Sequence, residues 1–456
     1  MKSSFVILLL ALGLCYGQKK GTQTQELHLD MPISNCESGS CSTQATKITI
    51  DSNWRWTHDI SSATNCYTGN EWSSQFCPDS DTCTANCAID GVDQNTWTGT
   101  YGITAGGGSV TLKFVTHGPY STNIGSRLYL LESDSAYRMF HLKNREFSID
   151  VDSSNLPCGL NGAMYFVEMD QDGGLSEYPT NEAGAAYGTG YCDAQCPHDM
   201  KFIAGKANCD EWVPSADDPN SGTGKYGICC PEMDIWEANS QAQSFTSHPC
   251  NVDGYTPCTG TDCGDNGADR YSGVCDKDGC DFAAYRNGVH DFYGPGMTVD
   301  SSKKVTLVTQ FITSDGTDNG DLVEVRRIFI QDGQTIQNTA VNFPGVTAYD
   351  SITEEYCHEI KSFFGDFDDH SAKGGLKAMG DSLGRGHVLV MSLWDDHYAH
   401  MLWLDSSYPT TGDLNAPGVL RGPCPTTGGV PSELENQYAD ASVTFSNIKI
   451  GPIQTY

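Results

Sequence analysis

One texture restricts the fold more than any other feature, and it runs from about Cys36 to the C-terminus. Short runs of Val, Ile, Phe, Tyr and Thr are broken by Gly, Asn, Asp and Pro. SVTLKFVT (109–116), SRLYLLES (126–133), EFSIDVD (146–152), AMYFVEMD (163–170), KVTLVTQFIT (304–313), LVEVRRIFI (322–330), HVLVMSLWD (387–395) and SVTFSNIKI (442–450) all suit strands. Many of them alternate apolar and polar residues. FIQDGQTI (329–336) sets Asp332-Gly333 between two such runs, the chemistry of a tight hairpin turn. Only TEEYCHEIKSFFG (353–365) carries a persuasive amphipathic helical period. Many strands with long Gly-rich connections predict an all-β, antiparallel two-sheet sandwich with few short helices, whose loops can wall one face. No internal repeat or compositional break divides the chain. The expected organisation is a secretory signal over 1–17 followed by one domain over 18–456.

The signal is read from Lys2, the apolar FVILLLALGL and the small-residue end CYG. The apolar stretch is too short, and the sequence after it too polar, for a membrane anchor. QKKGTQTQELHLDMP (18–32) is polar and reads as a loosely held start. Export decides how the cysteines are read. Of twenty, Cys15 leaves with the signal; the other nineteen, in an oxidising compartment, imply disulfides rather than thiolate metal sites. An odd number leaves at least one thiol unpaired. The balance of 58 acidic against 26 basic residues gives a net charge of −32, which argues against nucleic acid and anionic membranes as partners. Such a surface favours solubility, and salt screens its self-repulsion. The sequence has no Asn-X-Ser/Thr, so N-linked glycans are not expected.

EMDIWE (232–237) raises the functional question. Glu232, Asp234 and Glu237 alternate with Met, Ile and Trp, which implies a buried strand, yet buried carboxylates are costly unless paired or used. Glu232 and Asp234 share a face of a regular strand, while Glu237 has the opposite parity. A β-bulge at Ile235–Trp236 would bring all three to one face. Two carboxylates about 5 Å apart cleave a glycosidic bond with retention, one as nucleophile and the other as acid, then base. Asp234 would orient one glutamate, and its negative charge would raise the pKa of the glutamate that must start protonated. The acidic composition alone is the competing explanation of the triplet. Trp54 and Trp56 in NWRW, and Trp394 and Trp403 in SLWDDHYAHMLWLD, fall at alternate or face-sharing positions on expected strands and suit stacking on sugar faces; core packing is the alternative for each. There is no His-Glu-x-x-His, Gly-x-Ser-x-Gly or phosphate loop, and the twelve histidines are scattered.

IDSNWRWTH, LPCGLNGAMYFVEMD, YGTGYCDAQCP, CCPEMDIWEANS, RYSGVCD, VLVMSLWDDHYAHMLWLDS and VTFSNIKIGPI closely resemble glycoside hydrolase family 7, cellulases with a curved β-jelly-roll fold. The resemblance implies retaining hydrolysis of β-1,4-glucan, with Glu232 as nucleophile, Asp234 supporting it and Glu237 as acid/base. His248 matches a residue beside the acid/base. Trp56, Trp54, Trp394 and Trp403 match sugar platforms running from groove entrance to leaving-group side. Arg127, Tyr165, Tyr191, Asp193 and Gln195 match groove residues on the substrate side; Arg270, Asp281 and Arg421 match those that hold the departing disaccharide.

The family holds chain-end cellobiohydrolases and internally cutting endoglucanases, which differ in whether loops roof the groove into a tunnel. CDEWVPSADDPNSGTGKYG (209–227), CGDNGADRYSGVCD (263–276) and FFGDFDDHSAKGGL (363–376) have tunnel-forming length, which favours a cellobiohydrolase acting from reducing ends. An endo-β-1,4-glucanase on the same fold is the alternative, and a glucan-binding lectin the remote one. The resemblance also implies nine disulfides, Cys36–Cys41, Cys66–Cys87, Cys77–Cys83, Cys158–Cys424, Cys192–Cys230, Cys196–Cys229, Cys250–Cys275, Cys258–Cys263 and Cys280–Cys357, with Cys209 left over. Ala88 stands where a further family bridge near the N-terminus has its second cysteine. No cofactor or metal is implied. The expected partner is cellulose, met by a secreted monomer without a linker or cellulose-binding module.

Overall fold

The computed structural model describes residues 18–37, 39–265 and 267–454; the signal expected over 1–17 lies outside them. The alternation seen in sequence sorts side chains onto two faces. From one sheet, Leu128, Leu130, Met164, Phe166, Met391 and Leu393 point into a shared core, met by Val110, Phe147, Ile149, Leu307, Phe329 and Phe445 from a second sheet. Each sheet has ten strands among the described residues, and together they form the expected sandwich. The first runs, in spatial order, Leu29–Asp30, Lys47–Ile50, Ser126–Ser133, His387–Asp395, Leu160–Val167, Glu232–Ala238, Gln243–His248 and Cys280–Phe282, all antiparallel. The second is centred on Ser442–Pro452, Arg145–Asp152, Val305–Thr313 and Leu322–Gln331.

The first sheet is covered on its far side as well. Tyr129, Ala163, Tyr165, Val167, Val388 and Val390 pack there beneath long loops. Burial on both faces explains why Leu160–Val167 is buried along its whole length.

Asp332 and Gly333 turn the hairpin between Leu322–Gln331 and Gln334–Gln337, both at positive φ (52° and 76°), as a two-residue turn requires. The expected helix forms at Glu354–Phe364, capped by the Thr353 side chain and closed by Gly365 at φ 78°. A second helix of equal length, Gly375–Arg385, was not expected, because its three glycines mask it. Gly380 is there for packing: a Cβ would stand 2.5 Å from the Leu322 side chain.

All nine disulfides form as the resemblance implied. Cys209 is free and half-buried; burial pushes its thiol up to about 12, so it is a poor nucleophile at neutral pH. The start of the domain, expected to be loose, is instead tightly held. Lys19–Lys20 pair in parallel with Cys87–Ile89, placing Lys19 opposite Ala88, so backbone bonds act where the family has a bridge. Glu26 then forms a fork with the fully buried Arg55 (2.7 and 2.9 Å), whose charge needs that partner.

Candidate active site

The strand Glu232–Ala238 carries the irregularity that its acids demand. Against Gln243–His248, Glu232 pairs with His248 and Asp234 with Thr246, but the next pair is Glu237 with Ser244, three residues on one strand against two on the other. Against Leu160–Val167, Tyr165 faces Asp234 while its neighbour Met164 faces Trp236. Ile235 belongs to neither register. This is a bulge at the expected place. Met233, Ile235 and Trp236 enter the core, and Glu232, Asp234 and Glu237 share the opposite face with His248, Thr246 and Ser244.

Each acid is held differently. Glu232 Oε2 accepts the Ala194 backbone N–H at 2.9 Å, and Glu237 Oε1 accepts from Asn161 Nδ2 at 3.0 Å. Asp234 lies between the glutamates in sequence, and its Oδ2 is 3.0 Å from His248 Nε2. His248 Nδ1 donates to the Asp276 carbonyl at 2.7 Å. With Nδ1–H so committed, one proton lies between His248 Nε2 and Asp234. His248 thus touches Asp234 directly and is also close enough to Glu237 to act on its carboxyl.

Burial raises the carboxyls of Glu232 and Asp234 well above the usual range, with repulsion from a neighbouring carboxylate next: Asp234 for Glu232, and Glu237 for Asp234. Glu237 is raised to about 7, again mainly by burial; His248 and the Asn161 bond oppose this, and Asp281 adds to it. Desolvation, rather than the neighbouring charge expected from sequence, is thus the main cause of the raised Glu237 carboxyl.

The three acids face a cavity of about 1960 Å³ lined by every sequence-predicted binding residue. Arg127 is clamped by Asp51 (2.8 Å) and lies over the Tyr191 ring, 3.2 Å from its centroid. Tyr165 and Tyr191 share a hydroxyl bond of 2.9 Å, and Tyr191 donates to Asp193 at 2.6 Å. Gln195 Nε2 donates to the Lys277 carbonyl. At the other end Arg270 binds Asp278 and Asp281 binds Arg286.

The tryptophans line the groove, though not all on strands. Trp54 ends the one-turn helix Ser52–Trp54, and Trp56 comes two residues later, with the buried Arg55 between them. Trp403 is on the short helix Leu402–Asp405, where it stacks near Trp394 (centroids 6.4 Å apart) and donates to Asp396. The strand expected there stops at Asp395, and the chain coils back.

The three long loops border the cavity and are tied together or to its walls. Asn70 Nδ2 donates to the Ser215 and Asp218 carbonyls at 3.0 Å, and His397 Nδ1 lies 3.0 Å from the Asp217 carbonyl. Tyr271 and Phe367 meet with ring centroids 4.6 Å apart, and Lys373 donates to the Tyr271 carbonyl.

Sequence reasoning missed Asn161, Asp278, Arg286, Lys361 and Arg327. Arg327 had a visible signal: in LVEVRRIFI it shares parity with the core residues Val325 and Phe329. It is fully buried on the second sheet, reaches across the core and donates to the Ile235 carbonyl at the bulge. Among the described residues no carboxylate pairs with it. The Phe245 ring lies 4.8 Å from its guanidinium carbon.

The sequence profile of glycosyl hydrolase family 7 matches residues 20–456. The exoglucanase GH7B of Limnoria quadripunctata is 64% identical, over the full length of both chains. Among solved structures, a GH7 family cellobiohydrolase from Daphnia pulex superposes with a TM-score of 0.95 at 60% identity, covering 95% of this chain and 99% of that one. A cellobiohydrolase from Melanocarpus albomyces complexed with cellotetraose gives 0.90 at 45% identity, covering 96% and 99%.

Proposed function

The chain belongs to glycosyl hydrolase family 7, and we propose that Glu232 is its nucleophile, Asp234 the residue that positions it, and Glu237 the acid/base. The enzyme is a retaining cellulase that hydrolyses β-1,4-glucosidic bonds and releases cellobiose. The observation that carries the residue assignment is the register shift between Asp234 and Glu237, which puts three acids of mixed parity on one face.

In the first step Glu232 attacks the anomeric carbon while Glu237 gives its proton to the departing oxygen. In the second, Glu237 takes a proton from water, which displaces Glu232 from that carbon. Asp234, hydrogen-bonded to Glu232 and in contact with His248, holds the nucleophile's carboxyl in orientation. Trp54, Trp56, Trp394 and Trp403 supply faces for sugar rings; Arg127, Tyr165, Tyr191, Asp193 and Gln195 bind hydroxyls on the substrate side. Arg270, Asp281 and Arg421 hold the leaving disaccharide, which is the reducing end of the chain. The domain spans 18–456 after a signal at 1–17, and acts as a secreted monomer. The loops around Ser215, Tyr271 and Phe367 favour chain-end action. Product analysis on insoluble cellulose tests this: mostly soluble cellobiose is expected, with few new reducing ends left in the solid. A rapid fall in viscosity of a soluble cellulose would instead mark internal cutting.

Arg327 acts on the reaction through the backbone. Its bond to the carbonyl of Ile235, the residue that falls in neither register, holds the bulge and with it the direction in which Glu237 points. Arg327→Met is expected to lower kcat about 100-fold, the scale of an ångström-sized misplacement, with KM little changed and Arg327→Lys recovering part of the loss. Equal loss in both variants, or a change in KM alone, would make Arg327 a packing residue only.

A further inference from the structure

Three segments of the chain bring metal-ligating side chains together beside the cavity. The strand His387–Asp395 ends on Asp395 and His397 follows it, the helix Pro431–Gln437 carries Glu435, and the long 209–227 loop carries Asp218. The ligand atoms of Asp395, His397 and Glu435 all lie within 4.8 Å of one another. His397 Nε2 stands 3.9 Å from Glu435 Oε1 and 3.9 Å from Asp218 Oδ2. The other ring nitrogen is committed. Nδ1 donates to the Asp217 carbonyl at 3.0 Å, so in the neutral ring the lone pair is on Nε2, among the carboxylates. Asp395 Oδ2 is buried without a hydrogen-bond partner. Among the described residues no Lys or Arg forms an ion pair with Asp218, Asp395 or Glu435. Three carboxylates so placed repel one another, and a cation between them relieves that.

We propose that Asp218, Asp395, His397 and Glu435 bind one divalent cation, Zn²⁺ by preference, which clamps the 209–227 loop to the groove wall. Ligands about 2.0–2.2 Å from a common ion stand roughly 3.3–4.2 Å from one another, so the pairs at 3.9 Å already fit and the widest closes by under about 1 Å. An imidazole among carboxylates suits zinc, whereas Ca²⁺ and Mg²⁺ take shells of oxygen. Asp218, His397 and Glu435 are 21, 23 and 26% exposed, so an ion can enter from solvent. Asp218, Asn220 and Ser221 of the loop line the cavity, as do Asp395 and His397 of its wall, and joining them fixes the loop at the rim of the groove. The ion is structural. Neither hydrolytic step passes through it, and the site does not depend on the roles given to Glu232 and Glu237.

Calorimetric titration of Zn²⁺ into the chelator-treated, dialysed enzyme at neutral pH, paired with hydrogen exchange read by mass spectrometry, tests the clamp without turnover. One tightly held ion per chain is expected, with Ca²⁺ bound at least about tenfold more weakly. Zn²⁺ should slow exchange in peptides spanning 209–227 severalfold and leave the Leu160–Val167 strand unchanged. His397→Gln and Glu435→Gln, each checked for folding by its unfolding temperature, should weaken Zn²⁺ binding at least about tenfold and abolish the response of the loop. No binding of Zn²⁺, which leaves a protonated His397 to balance the carboxylates, overturns the proposal, as does Ca²⁺ bound equally tightly. So does zinc held equally well by both variants, which places it elsewhere on this acidic chain, or binding that leaves exchange in the loop unaltered.

Discussion

Glu232→Gln is expected to lower turnover on cellulose by about 10⁴-fold or more, because the amide cannot form the glycosyl ester on which both steps depend. Binding should survive. Gln has the same shape, its oxygen can still accept the Ala194 N–H, and the groove's aromatic and hydroxyl-binding residues are untouched. Initial rates on insoluble cellulose, set beside calorimetric affinity for a cello-oligosaccharide, separate the two effects. A variant that keeps its rate within tenfold of the parent would move the nucleophile elsewhere. Loss of affinity with loss of rate would instead mean a collapsed site.

Glu237→Gln has a different signature, because in the proposed mechanism this group serves each step in a different way. On cellulose, whose leaving sugar needs a proton, kcat/KM should fall about 10³-fold, within the range of general acid catalysis. On an aryl cellobioside with a leaving group acidic enough to depart unaided, the first step should persist and the second slow, so the glycosyl-enzyme accumulates and a burst appears. The pH profile supplies a second readout. Burial raises Glu237 to about 7, so the parent enzyme holds the required proton below that value and loses it above. Its kcat/KM should therefore fall as pH rises through about 7, an apparent value shared by the coupled acids. In Glu237→Gln this basic limb should vanish for the activated substrate. A limb that persists unchanged would assign the titration to another group.

Local rules reached the bulged, acid-bearing strand because period two is strict: three acids of mixed parity on one buried strand leave a bulge as the economical solution. The turn at Asp332-Gly333 and the helix at 354–364 were legible for similar reasons, since turn chemistry and a 3.6-residue period are short-range signals. What stayed hidden depends on partners distant in sequence. Glu26 anchors the domain's start only because Arg55 is buried beside it, and nothing within QKKGTQTQELHLDMP says so. Gly375–Arg385 looks unhelical until Leu322 is seen occupying the space beside Gly380. Extending the pattern of HVLVMSLWD past Asp395 puts Trp403 on a strand, but the backbone turns there and reaches Met401 at φ 61°. Arg327 was the missed clue, because an arginine of core parity should have prompted a search for the carbonyl it satisfies.

The central claim is that a bulged strand presents Glu232 to the anomeric carbon of a sugar that Glu237 can also reach. Peptide mapping by mass spectrometry after incubation with a 2-deoxy-2-fluoro cellobioside bearing an activated leaving group tests it most directly. The fluorine slows the second step and leaves the ester in place. One sugar label per chain, on Glu232 within CCPEMDIWEANS, is the predicted result. A label on Asp234 or Glu237, or turnover with inversion and no label at all, would contradict it.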